Sequence, residues 1–119
     1  MSEGKRQLAE RSGRTAEQRA EQWLMGHGWE ILARRRKTKL GEIDLIARRD
    51  AIVAFVEVKW RQRATDLATA IDEHRLARVA AAAEAVAHEY VRPGEDMRID
   101  VILLAPGRAP DHITNAWQP

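Results

Sequence analysis

Apolar side chains recur at helical spacing in the first part of the chain. From Ala16 to His27 they fall on one face of a helix. Thr15 followed by Gln18 is a capping-box pair that predicts where this helix begins, and Gly28 predicts where it ends. The polar residues before it show no period. We therefore expect residues 1–13 to form a flexible arm and residues 14–119 to form a single domain.

Extended apolar runs dominate the middle of the chain. Trp29–Ala33 predicts a short strand, and the basic residues that follow it, with Leu40–Gly41, are expected to form a loop. Glu42–Arg48 and Ile52–Trp60 then predict two paired strands, separated by a tight turn near Asp50.

The second half of the chain repeats the change from helical to extended spacing. After a polar loop, Gln62–Asp66, Asp72 is the predicted N-cap of a long helix that ends before Pro93–Gly94. Ile99–Leu104 predicts a further strand, and His112–Trp117 predicts a short edge strand. This order of elements predicts an α/β fold in which a mixed sheet of four to five strands is flanked by helices.

Two carboxylates interrupt the apolar central strands, and the turn between the strands decides how they face each other. In an antiparallel hairpin the numbers of facing residues have a constant sum. A turn at Asp50-Ala51 makes that sum 101 and places Asp44 opposite Glu57. A turn at Arg49-Asp50 makes it 99, which places Glu42 opposite Glu57 and Asp44 diagonal to it. Both turns keep the carboxylates on one face, whereas a loop with an odd number of residues would separate them.

Lys59 lies two residues beyond Glu57 and therefore on the same face of its strand. Adjacent carboxylates repel each other by up to ~1 kcal/mol, and a divalent cation with oxygen ligands offsets that cost. Beside such a cation, Lys59 could orient an attacking water or hold a phosphate. The alternative is a cross-strand salt bridge in which Lys59 is shared between Asp44 and Glu57. Spacing leaves both interpretations open.

Composition narrows the classes of function. The chain is 45% hydrophobic and 32% charged, which is typical of a globular domain. It contains no cysteine, which excludes disulfides and thiolate metal sites, and no apolar run approaches the ~20 residues of a membrane helix. We expect a cytoplasmic protein that does not bind membranes. The net charge is +2, but basic residues cluster and are expected to attract nucleic acid: Arg34, Arg35, Arg36, Lys37, Lys39, Arg61 and Arg63.

The other polar residues give less information about function. The four histidines have no metal-ligand spacing and are expected at the surface or at helix ends: His27, His74, His88 and His112. Asp100 interrupts an apolar strand, so it is expected either to be structural or to support the site.

These residues, in this order of elements, resemble the PD-(D/E)xK nuclease superfamily, whose restriction-endonuclease-like core runs αβββαβ. Within it the chain is similar to the YraN-like family of small bacterial proteins and, more distantly, to archaeal Holliday-junction resolvases. The resemblance covers roughly residues 13–117. It rests on four segments: Gly13–Glu17, Gly41–Ala47, Phe55–Lys59 and Arg98–Val101. The chain departs from the superfamily pattern at Ile43, where the superfamily name has proline.

The resemblance implies a Mg²⁺ or Mn²⁺ site with Asp44 and Glu57 as ligands, joined by the Val58 carbonyl. It implies that Lys59 is the catalytic lysine and that Glu17 is a helix carboxylate that assists the metal. The implied activity is an endonuclease that hydrolyses phosphodiester bonds in DNA, with branched repair or recombination intermediates as candidate substrates and RNA still open.

Two further expectations concern partners. Early in the second helix, where family members often carry a lysine, this chain has His74-Arg75, so Arg75 is expected to contact nucleic acid. Junction-cleaving resolvases act as dimers, so a homodimer is an open possibility, although the sequence displays no dimer face. The alternative function is a non-catalytic nucleic-acid-binding module that keeps the nuclease fold.

Overall fold

A computed structural model describes residues 3–63 and 71–118, and for residues 3–14 it describes the backbone alone. Two helices and five strands are present in these ranges. Their order and bounds are α1 Glu3–Gly26, β1 Glu30–Thr38, β2 Gly41–Arg49, β3 Ile52–Trp60, α2 Glu73–Tyr90, β4 Asp96–Leu104 and β5 Asp111–Ile113. The αβββαβ order that the sequence predicts is confirmed, and the short edge strand predicted after it is present as β5.

The five strands form one mixed sheet in the order in which they occur along the chain. β1, β2 and β3 are antiparallel neighbours, β3 and β4 are parallel, and β5 is antiparallel to β4. A parallel pair needs a crossover connection, and α2 lies within the segment that provides it. Because β2 is antiparallel to both β1 and β3, its start lies beside their ends. The candidate site residues of these strands meet there.

Each helix covers its own hydrophobic core on the sheet. α1 contributes Ala16, Ala20 and Leu24 to a core that includes alternate residues of β3 and β4, such as Val56 and Ile102. α2 packs its buried face on a second core, built from the intervening residues of the same strands: Val53, Phe55, Ile99, Val101 and Leu103. The central strands are thus apolar on both sides, which is why their sequences read as nearly continuous hydrophobic runs.

The end of α1 is fixed by a pair of backbone hydrogen bonds. The Trp29 amide donates to the Leu24 carbonyl at 3.0 Å, and the Gly28 amide donates to the Met25 carbonyl at 3.2 Å. Gly28 has a φ of 86°, the left-handed conformation that this Schellman motif requires and that glycine adopts without a steric penalty. Leu24 and Trp29 both lie in the core on the α1 side, so the motif also sets where β1 begins.

The start of α1 corrects the sequence-based expectation. The helix begins at Glu3, so Thr15 lies inside it and is not an N-cap. Residues 3–13 were expected to form an arm but have helical backbone, because the segment has no proline and is rich in strong helix formers such as alanine, glutamate, lysine and arginine. The flexibility expected of this arm and the domain boundary after residue 13 stay predictions.

The basic segment after Ala33 also differs from expectation. It was predicted to be a loop, but β1 continues through it to Thr38 and pairs with β2 as far as Gly41. The physical reason is that β1 is an edge strand, where charged side chains are tolerated and pairing with an apolar neighbour supplies the hydrogen bonds. A register shift between Ile31 and Ala33 accompanies this pairing.

Smaller differences concern the C-terminal strands. β4 begins at Asp96, earlier than the predicted Ile99, and β5 spans Asp111–Ile113 where His112–Trp117 was predicted. Part of the polar loop predicted at Gln62–Asp66 lies outside the described residues. Among the described residues, no helix has the length and apolar character needed to cross a membrane.

Candidate metal site at the end of the sheet

The β2–β3 hairpin brings Asp44 beside Glu57. The strands pair from Arg49 with Ile52 to Leu45 with Val56, so the numbers of facing residues sum to 101 and the turn is the two-residue Asp50-Ala51. Of the two turns that the sequence left open, this one places Asp44 opposite Glu57. Asp50 adopts a φ of 54°, a left-handed conformation that aspartate tolerates better than most residues.

The Asp44 side chain accepts a backbone hydrogen bond from β3 just beyond the last residue pair between β2 and β3. Its Oδ2 accepts from the Val58 amide at 2.8 Å, and the residue is 8% exposed. Burial raises the pKa of Asp44 to about 7, and the negative charge of Glu57 adds to this effect, while the bond from Val58 opposes it. A cation that binds beside this carboxyl group would strongly stabilise its charged form.

Glu57 is more deeply buried than Asp44 and is held by two cations. It is 1% exposed, and its Oε1 accepts from Arg75 Nε at 2.7 Å and lies 3.2 Å from Lys59 Nζ. Its other oxygen, Oε2, is buried and has no hydrogen-bond partner among the described residues. A buried carboxylate oxygen without a partner is costly in free energy, and a bound cation would remove that cost.

Asp44 also belongs to a cluster of three carboxylates. Glu17 of α1, Glu42 and Asp44 each offer one oxygen, and these oxygens lie within 4.8 Å of one another. Glu42 was not among the ligands predicted from the sequence, where it appeared as an alternative partner for Glu57. The signal for it was available, because Glu42 and Asp44 are two residues apart on one strand and so share a face.

The acidic residues together fit a hard divalent cation. Oxygen ligands at short mutual distance are what Mg²⁺ and Mn²⁺ prefer, and Mg²⁺ usually needs one or two protein carboxylates besides water. Asp44 is central, since Glu17, Glu57 and Arg75 all act on its ionisation. Glu57 is not a member of the group within 4.8 Å; it lies on the side held by Lys59 and Arg75. A role for the Val58 carbonyl as a ligand stays a prediction.

Several of the basic residues predicted to contact nucleic acid form ion pairs with carboxylates. The three arginines of β1 form ion pairs: Arg34 with Glu21, Arg35 with Glu17 at 2.7 Å, and Arg36 with Glu89 at 2.7 Å. Arg75 pairs with Glu57, so in this structure it supports the acidic site. The side chains of Lys37, Lys39 and Arg63 are exposed, and half-buried Arg61 donates to the Trp60 carbonyl at 2.8 Å.

A separate buried charge lies where β4 meets β5. Asp100 is fully buried and accepts hydrogen bonds from Nε and one terminal nitrogen of Arg98, at 2.8 and 2.9 Å, and from the Asn115 amide at 2.9 Å. His112 Nε2 lies 2.7 Å from its second oxygen. The expectation that His112 lies at the surface is therefore wrong, because its side chain is 9% exposed and pairs with Asp100. Of the two roles left open for Asp100, these contacts favour the structural one.

The fold and the site together define a small α/β protein with an αβββαβ order and an acidic cluster at the end of its sheet. The chain belongs to the Uncharacterised protein family UPF0102, whose profile matches residues 16–104. It is 67% identical to a UPF0102 protein of Erythrobacter litoralis, over 97% of this chain and 99% of that one. It is also 57% identical to a UPF0102 protein of Sphingopyxis alaskensis, over 96% of this chain and 98% of the other.

Proposed function

We propose that this protein is a metal-dependent endonuclease of the PD-(D/E)xK type that hydrolyses phosphodiester bonds in DNA. The observation that carries the proposal is the buried Glu57, which has one oxygen without a partner among the described residues, lies beside Lys59 and is opposite Asp44. We further propose that it works in the cytoplasm on branched DNA formed during repair or recombination.

Asp44 and Glu57 would hold the cation, with Glu17 and Glu42 as further ligands on the α1 side. A bound Mg²⁺ or Mn²⁺ supplies Lewis-acid stabilisation of the charge that develops on the phosphate oxygens. Arg75 keeps Glu57 in place through its 2.7 Å hydrogen bond, so the carboxylate does not have to be ordered when the cation binds.

Lys59 supplies the remaining chemistry. Its ammonium group lies 3.2 Å from Glu57 Oε1, and its side chain is 15% exposed, so it faces the site and can still reach solvent. From there Lys59 can donate to a phosphate oxygen and to the water that attacks phosphorus. The P–O bond to the leaving strand would break as the bond to water forms. The water would give up one proton to solvent and the leaving oxygen would take one from solvent, so one product strand keeps the phosphate and the other ends in a hydroxyl.

The test is a cleavage panel of linear, single-stranded, flapped and four-way DNA, together with RNA, in Mg²⁺ or Mn²⁺. Wild type is expected to cut at least one DNA structure and to stop when EDTA removes the metal. Lys59→Ala and Asp44→Asn should each slow cleavage by about 100-fold or more, because each removes charge stabilisation from the transition state. Arg108→Ala, an exposed change after β4, is the control and should cut like wild type.

Two results would overturn the proposal. One is a wild type that cuts none of these substrates with either metal, and the other is a Lys59→Ala variant that cuts as fast as wild type. In both cases the charges around Glu57 would serve as structural ion pairs only.

A second candidate function is supported by the exposed basic residues at the same end of the sheet. Lys37, Lys39 and Arg63 could bind a phosphate backbone without any cleavage. A non-catalytic binding module of this kind predicts salt-sensitive DNA binding that is unchanged in Asp44→Asn, with no cleavage and no divalent cation bound in titration calorimetry.

A further inference from the structure

Arg35 occupies an unusual place in the edge strand β1. Its neighbours Arg34 and Arg36 pair with Leu45 and Ile43, so Arg35 lies directly opposite Asp44. Its φ is 50°, which is left-handed backbone inside a strand and costs a non-glycine residue about 1 kcal/mol. Local strain of this kind is kept where the surrounding structure requires it, and at Arg35 it accompanies a contact with the acidic cluster.

The guanidinium of Arg35 is the counter-ion of that cluster. Arg35 Nε donates to Glu17 Oε2 at 2.7 Å, and Glu17 is one of the three residues whose oxygens lie within 4.8 Å. The pKa of Arg35 is raised, chiefly by this hydrogen bond and by the charge of Glu17, with smaller contributions from Glu42 and Asp44. One cation therefore interacts with all three carboxylates.

A guanidinium and a metal ion compete for such a site, because both bind the same carboxylate lone pairs and repel each other. The Arg35 side chain is 43% exposed, so it can leave Glu17 without disturbing either hydrophobic core. An arginine released beside a metal site has an obvious second ligand, since its planar fork matches two oxygens of a phosphate.

We propose that Arg35 is an exchangeable counter-ion, which holds Glu17 until a divalent cation binds there and then pairs with a phosphate of the nucleic acid. The inference rests on the proposed nuclease function and adds to it a coupling between metal and DNA. A phosphate that draws Arg35 away frees Glu17 for the metal, and a metal on Glu17 frees Arg35 for the phosphate. By linkage, each ligand raises the affinity for the other by the same factor.

The test uses Arg35→Asn, because asparagine tolerates left-handed backbone while it removes the charge. Arg36→Asn is the matched control: Arg36 is the next residue on the same strand, and its 2.7 Å ion pair is with Glu89 of α2, not with the cluster. Calorimetry gives the affinity of each protein for Ca²⁺, alone and saturated with a short DNA duplex. A gel of each sample verifies that the duplex stays intact, and thermal melts verify folding.

For wild type we expect DNA to tighten Ca²⁺ binding by about fivefold or more, within the usual range of coupling between two sites. Without DNA, Arg35→Asn should bind Ca²⁺ about fivefold more tightly than wild type, because the competing cation is gone. Its coupling factor should fall, and Arg36→Asn should match wild type in both measurements. With Ca²⁺ present, the slope of log DNA affinity against log salt concentration should also be smaller by about 1 in Arg35→Asn, because one phosphate contact is lost.

The outcomes separate the two ideas. If wild type binds Ca²⁺ but Arg35→Asn shows the same Ca²⁺ affinity and the same coupling, the counter-ion role is wrong and the proposed function is untouched. If Arg35→Asn is too unstable to measure, Arg35→Lys is used: it keeps the charge without the fork, and wild-type coupling in it overturns the phosphate step. If wild type binds no divalent cation, the proposed function fails and the inference fails with it.

Discussion

Asp44 combines a structural hydrogen bond with an electrostatic cost. Its Oδ2 accepts the Val58 amide where the β2–β3 ladder stops, while burial and Glu57 oppose its negative charge. The bond survives when the charge is removed, because an amide oxygen is also an acceptor. The two roles of Asp44 can therefore be separated by experiment.

The first prediction concerns stability against pH. The pKa of Asp44 rises from 3.8 to about 7 on folding, so without metal its contribution favours the fold most below about pH 4 and is lost as the pH rises through 7. Asp44→Asn should raise the free energy of unfolding by on the order of 2 kcal/mol near pH 8 and change it little near pH 4. Urea unfolding at the two pH values measures this difference.

Metal supplies the internal control for that prediction. Saturating Mg²⁺ should stabilise wild type near pH 8 and leave Asp44→Asn almost unchanged, because a ligand stabilises only the protein that binds it. An Asp44→Asn protein that is less stable than wild type near pH 8 without metal would contradict the expected sign.

Spacing along the chain predicted that Asp44 and Glu57 share a face on the condition that the turn between their strands has an even number of residues, because the period of a strand is two residues. The two-residue turn at Asp50-Ala51 meets that condition. Spacing did not predict their counter-ions. Arg35 and Arg75 were expected to contact nucleic acid, yet each pairs with a carboxylate from another element, Glu17 or Glu57. Such pairs depend on how α1, α2 and the sheet pack together, and no local pattern encodes that packing.

β5 is a strand of three residues, and its attachment to the sheet depends on more than its backbone pairing with β4. Asp100 of β4 pairs with His112 of β5 and with the backbone of Asn115 beyond it. Burial acts to raise the pKa of Asp100, but the hydrogen bonds from His112, Arg98 and the Asn115 amide outweigh it and hold the pKa below its usual value.

Asp100→Asn should therefore lower the free energy of unfolding near neutral pH by about 3 kcal/mol, because the half-buried Arg98 loses the buried charge with which it pairs. A lowered pKa means that this stability is present above the ordinary aspartate pKa and is lost as the pH falls through the folded value. The variant should thus show a flatter loss of stability in acid. Chemical unfolding along a pH series measures both effects.

Asp111→Asn is the matched control, since Asp111 is an exposed aspartate of β5, the strand that Asp100 holds from β4. Equal destabilisation by the two variants would mean that Asp100 does not anchor β5.

The extents of the elements were harder to predict than their order. Periodicity detected both helices and the central strands, because their apolar faces are long and regular. It missed that β1 continues through the basic segment, where pairing with β2 and ion pairs from Arg34 and Arg36 outweigh the absence of apolar residues. It also placed the start of α1 at a capping signal that lies inside the helix.

The basic residues of β1 and of the turn after it differ in their surroundings. Three arginines of β1 are paired with glutamates of the two helices, whereas Lys37 and Lys39 lie exposed beside the acidic site. The net charge of +2 hides this arrangement. If DNA binds at this end of the sheet, the two lysines should supply a larger share of its long-range attraction than their number suggests.

The salt dependence of DNA binding tests that view. Replacing both Lys37 and Lys39 with alanine should reduce the slope of log affinity against log salt concentration by about 2, since each phosphate contact contributes about 0.9. Fluorescence anisotropy with a labelled duplex over a salt series gives the slope. Arg108→Ala should leave it unchanged, and an unchanged slope in the double variant would show that DNA binds on another face.

The hydrogen bond between Asp44 and the Val58 amide also bears on how proteins of this kind can diverge. The backbone at this point needs an acceptor from position 44, and an asparagine satisfies that need while an alanine does not. A single drift from aspartate to asparagine therefore removes the charge and leaves the sheet intact. A lineage that no longer needs the chemistry can lose it in one step and still inherit a stable protein.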